Sequence, residues 1–330
     1  MTPSTPRLLG VLGLAAALAF AATGCVQSDT TENAVYSDPS ETPDLSLPEN
    51  PRVVALGWSD GEIAASLGVP PIAIYDWMSF GEATNGVGEW ATDEFGDTTP
   101  VLIPPASAGD FNYQQIKEFD PDLILNVRSK ADSKVTDSLK EIAPVVTAPE
   151  GTPDYAINWQ VQTQLIANAL GKSAEGEQQI TETTDLQATL RAQNPQFAGK
   201  TFVWGAKFGT AYGAYLPGDA RFDTIAELGF VEYPPVSDLQ TQGFFASVPV
   251  EKVTALDAQV AVFSTIGMPL ADLQNDPLIN SLAVTRDGRA IELGEDDPIA
   301  QAMSAGTPES LRFALDGLTP MLATAASKVQ

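Results

Sequence analysis

YQQIKEFDPDLIL (residues 113–125) is matched by VEKVTALDAQVAVF (250–263) at a constant offset along the chain. Three pairs of residues keep the offset: Ile116 with Val253, Asp120 with Asp257, and Leu123 with Val260. In each copy a helical stretch leads through an aspartate into an apolar run, which is typical of a buried strand in a parallel sheet. The period is too long for a solenoid of short repeats. The repetition therefore predicts two similar α/β lobes.

Strands and helices alternate around both copies. In the first half, the sequence predicts apolar strands at 52–56, 71–76 and 143–149, and helices over 57–68 and 133–142. The second half offers the strand TFVWGA (201–206) and the helix GDARFDTIAELGF (218–230). Alternation of this kind favours mainly parallel sheets flanked by helices. We expect an N-terminal lobe over 51–172 and a C-terminal lobe over 196–330.

One long helix is predicted between the lobes, over residues 173–195. It begins at Ser173, carries Glu175 and Glu177 in its first turn, and stops before Pro195. At 1.5 Å per residue it would be about 30 Å long, roughly the width of a lobe. A single helix is a stiff connection, so we expect little hinge motion between the lobes.

The N-terminus has the features of a lipoprotein leader. Arg7 precedes an apolar run and the small residues Ala22-Thr23-Gly24, which lead directly to Cys25, the only cysteine. The sequence Ala22 to Cys25 looks like a bacterial lipobox, in which the thiol receives a diacylglycerol. We therefore expect a signal peptide over 1–24 and a lipid anchor on Cys25. Residues 25–50 are rich in Ser, Thr, Asp, Glu and Pro, so we expect a disordered acidic tether there.

Composition excludes several classes of function. The net charge is −26, which disfavours nucleic acid as a partner because phosphates need a basic surface. The chain has no histidine, which excludes His-ligated zinc and a Ser-His-Asp triad. Glu292, Glu295, Asp296 and Asp297 form an acidic loop without the spacing of a calcium loop, and we interpret it as solvated.

An enzyme remains the alternative from another class. Gly57-Trp58-Ser59-Asp60-Gly61 fits G-x-S-x-G and lies between a strand and a helix, which is the context of a nucleophile elbow. A lipoprotein serine hydrolase using Ser59 would need a base, and no histidine can supply it. We therefore disfavour this reading and expect no enzymatic activity, no catalytic residue and no cofactor.

Aromatic residues follow the strands in both halves. The carboxyl ends of parallel strands border the usual ligand crevice of α/β sheets. The repeated placement therefore indicates a binding site with aromatic walls. Its candidate residues are Trp58, Trp77, Tyr212, Tyr215, Phe244 and Phe245. We expect Tyr212 and Tyr215 in a Gly-Ala loop after the strand TFVWGA, and Phe244 and Phe245 in a further loop.

Over about residues 50–326 the sequence resembles the iron-siderophore substrate-binding lipoproteins of bacterial ABC transporters, which are related to cobalamin-binding proteins. The motifs that carry the resemblance, besides the lipobox and the acidic tether, are RVVALGWSDGEIAASLGVPP (52–71), FNYQQIKEFDPDLIL (111–125), KEIAPVV (140–146), NWQVQTQLIANALGKSAEGE (158–177) and NDPLINSLAVTRDGRAIEL (275–293). The resemblance implies the class III arrangement, in which one long helix joins two α/β lobes and the chelate lies between them.

The resemblance also implies residue roles. Arg128, in NVRSK, stands where relatives touch ligand, Phe244 and Phe245 match a ligand-facing loop, and Arg221 is a weaker candidate. Relatives dock on the permease through a carboxylate on each lobe. Glu251 keeps the second of these, whereas Gln114 replaces the first, and Glu118 lies one turn further along the same helix.

Together these features predict the function of the protein and leave one alternative for its ligand. We expect a monomeric, extracytoplasmic receptor, anchored to the membrane by lipid, that binds a ferric siderophore and delivers it to an ABC importer. The iron would stay inside the siderophore, with no metal ligand from the protein. A cobalamin or haem receptor of the same fold is the alternative within binding proteins. The sequence leaves open which class of siderophore is bound.

Overall fold

A computed structural model of the chain describes residues 34–105 and 111–329, and two separate β-sheets organise them. The predicted signal peptide and Cys25 lie outside these residues. The first sheet has the order β1-β6-β5-β2-β3-β4 and is parallel throughout. Its strands are β1 (Val35–Tyr36), β2 (Val53–Ala55), β3 (Ala73–Tyr75), β4 (Val101–Ile103), β5 (Leu123–Asn126) and β6 (Val145–Thr147).

The second sheet has the order β10-β11-β8-β7-β12-β13, with β9 paired to β7. Strands β7, β9, β12 and β13 are parallel, whereas β8, β11 and β10 extend the sheet antiparallel. The strands are β7 (Thr201–Phe208), β8 (Ala211–Tyr215), β9 (Val231–Glu232), β10 (Thr241–Gln242), β11 (Phe245–Val248), β12 (Val260–Thr265) and β13 (Ala290–Leu293).

Helices cover both sheets. The α-helices are α1 (Asp60–Ser66), α2 (Tyr113–Glu118), α3 (Ser133–Lys140), α4 (Trp159–Ala169), α5 (Ser173–Gln193), α6 (Ala220–Glu227), α7 (Pro234–Ser237), α8 (Leu270–Gln274), α9 (Pro277–Ser281), α10 (Ala283–Arg286), α11 (Pro298–Ala305) and α12 (Pro308–Ser327). Short 3₁₀ helices span Glu82–Thr84, Thr92–Phe95, Pro195–Phe197 and Val250–Leu256. Within the described part of the chain, no helix has the length and apolarity needed to cross a bilayer.

The sequence repeat corresponds to a structural repeat. Helix α2 leads into β5, which lies between β6 and β2, and the 3₁₀ helix Val250–Leu256 leads into β12, which lies between β7 and β13. Ile116 and Val253, the matched residues, are both buried. The two-lobed α/β fold is confirmed, with the difference that the second copy forms a 3₁₀ helix where the first forms an α-helix.

A single long helix, α5, joins the lobes, as expected. Its 21 residues pack against α4 of the first lobe and α12 of the second. Close packing at the first lobe requires Gly176, because a Cβ there would lie 2.4 Å from the Cβ of Ala167. On the other side, Ile180, Leu186 and Leu190 pack against the core of the second lobe.

The described part of the expected tether differs from the prediction. Strand β1 pairs with β6 at the edge of the first sheet. The Nδ2 group of Asn168 donates hydrogen bonds to the carbonyls of Pro39 at 2.8 Å and Glu41 at 3.0 Å. Leu45 and Leu47 pack against the first lobe's core. A few apolar residues within a polar segment are thus enough to attach it, and the lobe begins before residue 51.

Candidate functional site

A cleft of about 850 Å³ lies between the two lobes, within the range that is typical of small-molecule sites. Residues from both lobes line it: Trp58, Trp77, Met78, Ser79 and Arg128 from the first, and Phe208, Tyr215, Arg221, Phe244, Phe245, Ser264, Thr265, Ile266, Glu295, Asp296, Ala300, Gln301 and Ser304 from the second. Seven of the eight predicted ligand residues are among them. Their contact with a ligand remains a prediction.

Buried Asp60 fixes the first wall of the cleft. Its carboxylate accepts hydrogen bonds from the backbone N–H of Val127 at 2.7 Å and of Arg128 at 3.3 Å. The Nε2 group of Gln162 donates to Asp60 at 2.8 Å and to the carbonyl of Trp58 at 2.9 Å. Gly57 permits this approach, since a Cβ there would lie 2.1 Å from a carboxylate oxygen of Asp60. Burial raises the pKa of Asp60 to about 6.

The indole of Trp58 is sandwiched between two other rings. Its centroid lies 4.6 Å from that of Trp77, with 12° between the planes, and 4.1 Å from that of Tyr155, with 23°. Both faces of Trp58 are therefore covered, and it can offer a ligand only its edge. Trp77 also lines the cleft, and Trp58 covers only one of its faces. Tyr155 was missed in the sequence because it lies in a turn rather than at a strand end.

Arg128 belongs to the first lobe and forms hydrogen bonds with the second lobe. Its Nη1 donates to the carbonyls of Ser304 at 3.0 Å and Ala305 at 2.8 Å, at the C-terminal end of α11, where a cation is favoured. Its Nε donates to the carbonyl of Tyr155 at 3.2 Å. Burial lowers the pKa of Arg128 to about 10, which leaves it charged at neutral pH. Among the described residues, no hydrogen-bond partner is found for Nη2, the group that remains for a ligand.

Arg221 forms the centre of the second wall. Its Nη1 donates to both carboxylate oxygens of Asp219, at 2.8 and 3.0 Å, and its guanidinium carbon lies 3.9 Å from the ring centre of Tyr215. Burial alone would lower the pKa of Arg221, but the charge of Asp219, the charge of Tyr215 and the hydrogen bonds to Asp219 together outweigh burial and raise the pKa. Asp219 also accepts a hydrogen bond from the backbone N–H of Arg221 and so caps α6.

Phe244 and Phe245 complete this wall beside Tyr215. The ring of Phe245 lies 5.1 Å from that of Tyr215, edge to face, and the ring of Phe244 lies parallel to it at 6.5 Å. Phe245 covers Gly213, where a Cβ would lie 1.9 Å from the phenyl ring. The glycine thus lets the aromatic ring lie flat on strand β8.

Tyr212 lies outside the cleft lining, so the structure does not bring it together with the other predicted ligand residues. Its hydroxyl donates to Asp276 at 2.6 Å, and the ammonium of Lys207 lies 4.7 Å from its ring centre. Tyr212 and Tyr215 lie on β8, where successive side chains point to opposite faces of the sheet. We expected a loop at this place, in which no such alternation would apply.

Several lining residues were not predicted. Ser264, Thr265 and Ile266 lie at and just beyond the carboxyl end of β12, and Glu295 and Asp296 follow β13. The strand-end rule that selected the aromatic residues would also have found these polar ones. Of the residues interpreted as a solvated acidic loop, Glu295 and Asp296 are exposed and border the cleft, whereas Glu292 lies on β13 and Asp297 caps α11, and both are half-buried.

A second contact between the lobes lies around Glu62. The indole N–H of Trp90 donates to Glu62 at 2.7 Å, and the hydroxyl of Thr307, at the start of α12, lies 3.5 Å from the same oxygen. Burial raises the pKa of Glu62 to about 7. Burial, together with the charge of Glu94, also raises the pKa of Glu309 to about 7. Two carboxyl groups with raised pKa values thus lie where the lobes meet.

Ser59 does not have the surroundings of a catalytic serine. It has a left-handed backbone (φ 62°) and occupies the N-cap position of α1. Its hydroxyl is buried and, within the described residues, has no hydrogen-bond partner. No general base therefore contacts Ser59 in the part of the chain that the structure describes.

The predicted docking residues are on the surface. Gln114 and Glu118 are exposed on α2, and the amide of Gln114 donates to Glu118 at 3.2 Å. Glu251 is exposed on the 3₁₀ helix Val250–Leu256, the matching element of the second lobe. In the described residues, no group of three or more acidic, His or Cys side chains could hold a metal ion.

Comparison with known proteins gives the family. The profile described as "Periplasmic binding protein" matches residues 53–296. The Fe(3+)-citrate-binding protein YfmC of Bacillus subtilis is 23% identical over 249 residues, which are 74% of this chain and 73% of the relative. The probable siderophore-binding lipoprotein YfiY of the same organism is 24% identical over 287 residues, or 82% of each chain.

A solved structure shows the same fold. The crystal structure of PiaA from Streptococcus pneumoniae TIGR4, in complex with ferrichrome, superimposes with a TM-score of 0.71 and 21% identity. The match covers 86% of this chain and 96% of PiaA. The profile match spans most of the chain, and the two lobes joined by one helix agree with it. The chain therefore belongs to the periplasmic binding protein family.

Proposed function

We propose that this protein is a receptor that binds a ferric siderophore in the cleft between its lobes and delivers it to an ABC importer. The observation that carries the proposal is the cleft itself. It is large, has aromatic walls, and brings Arg128 and Arg221 together from different lobes. The relatives named for Fe(3+)-citrate and siderophore binding support an iron chelate as the ligand. The iron remains within its chelator.

Delivery would use the exposed residues of the repeated helices. Glu251 on the second lobe would meet a basic residue of the permease, while Gln114 with Glu118 would take the corresponding place on the first lobe. The likeness to a lipoprotein, YfiY, supports an extracytoplasmic location with Cys25 as lipid anchor. We propose that the receptor acts as a monomer, because the cleft is formed by one chain.

The test is a fluorescence titration of the purified chain, without its first 25 residues, with ferric siderophores, cobalamin and haem. Trp58 and Trp77 lie in the cleft wall, so a coloured ferric chelate should quench their emission. Saturable binding of at least one ferric siderophore, with iron-free siderophore, cobalamin and haem far weaker, is the expected result. Preferential binding of cobalamin or haem, or of no compound in the panel, would refute the proposal.

A further inference from the structure

The charges that line the cleft are few and nearly balanced. The lining contains two cationic side chains, Arg128 and Arg221, and two anionic ones, Glu295 and Asp296. No lysine lies among the described lining residues. The charges differ in exposure, because Glu295 and Asp296 follow β13 and are exposed, whereas both arginines are buried.

Both arginines are already engaged by the protein. The carboxylate of Asp219, which is itself buried, balances the charge of Arg221 through both of its oxygens. The ring of Tyr215 covers the flat face of the Arg221 guanidinium. In Arg128, Nη1 and Nε donate hydrogen bonds to three backbone carbonyls, and only Nη2 is left to donate to a ligand. With Asp219 counted, the groups around the cleft carry more negative than positive charge.

Ferric chelates differ in charge according to their chemistry. Three hydroxamates, each singly negative, balance a ferric ion, so the complex is neutral unless its frame carries an ammonium group. Three catecholates, each doubly negative, leave a triply negative complex, and complexes with citrate are also anionic. An anionic chelate needs cations that have no other partner, because a partly buried charge is costly without a counter-charge.

We propose that the cleft selects a ferric trihydroxamate, neutral or cationic, over tris-catecholate and citrate chelates. The inference rests on the proposed function and narrows it to one chemical class. Glu295 and Asp296 repel an anionic complex at the entrance and attract a cationic one. The six aromatic side chains of the lining suit the hydrocarbon frame of a neutral complex.

A titration against four ferric complexes tests this inference. The probes are ferrichrome (neutral trihydroxamate), ferrioxamine B (cationic trihydroxamate), ferric enterobactin (tris-catecholate) and ferric citrate. We expect the trihydroxamates to bind at least 100-fold more tightly than the other two. Equal or tighter binding of ferric enterobactin or ferric citrate would overturn the inference while leaving the siderophore receptor intact. If no probe binds, the inference and the proposed function fail together.

A charge-neutral double variant tests the role of the entrance. Glu295→Gln with Asp296→Asn should raise the affinity for ferric enterobactin relative to ferrioxamine B by about tenfold or more at low salt, and less at high salt, where exposed charges are screened. The matched control is Glu292→Gln, which removes one charge from β13 outside the cleft lining and should leave the ratio unchanged. An unchanged ratio in the double variant would show that these carboxylates do not select the ligand.

Discussion

At the scale of single residues, Arg128 shows how a sequence can identify a residue but not its contacts. The motif placed Arg128 at the ligand site, and the structure places it in the cleft lining. Arg128 donates hydrogen bonds to Ser304 and Ala305, which lie more than 170 positions away along the chain. No local pattern encodes such a distant partner. The same limit applies to Tyr155, whose stacking on Trp58 depends on how a turn folds back.

The first prediction concerns Arg128 as a link between the lobes. Arg128→Ala leaves the buried carbonyl of Ala305 and the half-buried carbonyls of Ser304 and Tyr155 without their donor. We expect a loss of about 3 kcal/mol in the free energy of unfolding. Arg128→Lys should recover part of this loss, because one ammonium cannot reproduce the planar arrangement of the guanidinium donors. Urea unfolding of the ligand-free proteins measures the effect.

Lys130→Ala is the matched control, because Lys130 is an exposed cation two residues away. Its unfolding free energy should stay within about 0.5 kcal/mol of the original. A stability of Arg128→Ala that equals that of the control would contradict the inter-lobe link.

At the scale of elements, the central parallel strands were predictable and the antiparallel ones were not. Buried apolar runs such as PDLILNV (121–127) indicate β5 directly. Strand β8 consists of glycine, alanine and tyrosine, and β11 begins with Phe245 directly after Gly243-Phe244, so both stretches favoured loops in the sequence. They are strands because each pairs with a neighbour in the sheet, and pairing is a tertiary effect that propensity does not contain. The misplacement of Tyr212 follows from this error.

The second prediction compares the two repeated helical elements as docking sites. Glu251→Ala should reduce siderophore uptake by cells at least tenfold while leaving siderophore affinity intact, because Glu251 is exposed and lies outside the cleft lining. Gln114→Ala should cost less, since a hydrogen bond to a charged group is about twice as strong as a neutral one. Gln114→Glu should hold or raise uptake.

Transport assays in cells, together with ligand titration of the purified variants, separate docking from binding. Lys252→Ala is a control at the neighbouring exposed position. Normal uptake with Glu251→Ala would show that this helix does not dock, and a loss of ligand affinity would show that the residue acts on the cleft instead.

At the scale of the whole molecule, the number and kind of lobes followed from the repeat, whereas the contact between them did not. Glu62 of α1 meets Thr307 of α12, and Trp90 meets Phe313, with ring centres 5.8 Å apart. These partners lie at opposite ends of the chain. The attachment of residues 34–47 to the first lobe was also not predicted from the sequence. The segment is polar on average, and its average composition does not reveal that two or three apolar side chains can attach it to the core.

The third prediction is a pH dependence of stability from Glu62. Burial raises its pKa from 4.5 to about 7, so the folded chain retains a proton that the unfolded chain releases. The stabilising contribution of this proton is present below pH 4.5 and is lost as the pH rises through about 7. Nearby Glu309 acts in the same direction, whereas Arg128 opposes it.

Glu62→Gln removes the titration but keeps an acceptor for the indole N–H of Trp90. We expect the original protein to lose roughly 2–3 kcal/mol of stability more than this variant between pH 5 and 8. Thermal unfolding at several pH values gives the comparison, with Glu89→Gln, an exposed neighbour of Trp90, as control. Parallel pH profiles for all three proteins would show that Glu62 does not titrate in this range.

The pairing of β1 with β6 has a consequence for the order in which the chain folds. Val35 aligns with Val145, so β1, the first strand among the described residues, cannot pair with β6 until more than a hundred further residues have been made. Closing so long a loop also carries a high entropic cost before the contact is gained. The other five strands of the first sheet pair with one another without β1, which then pairs with β6 at the edge of the sheet. We therefore expect the N-terminal end of the lobe to be among the first parts synthesised and among the last to become native.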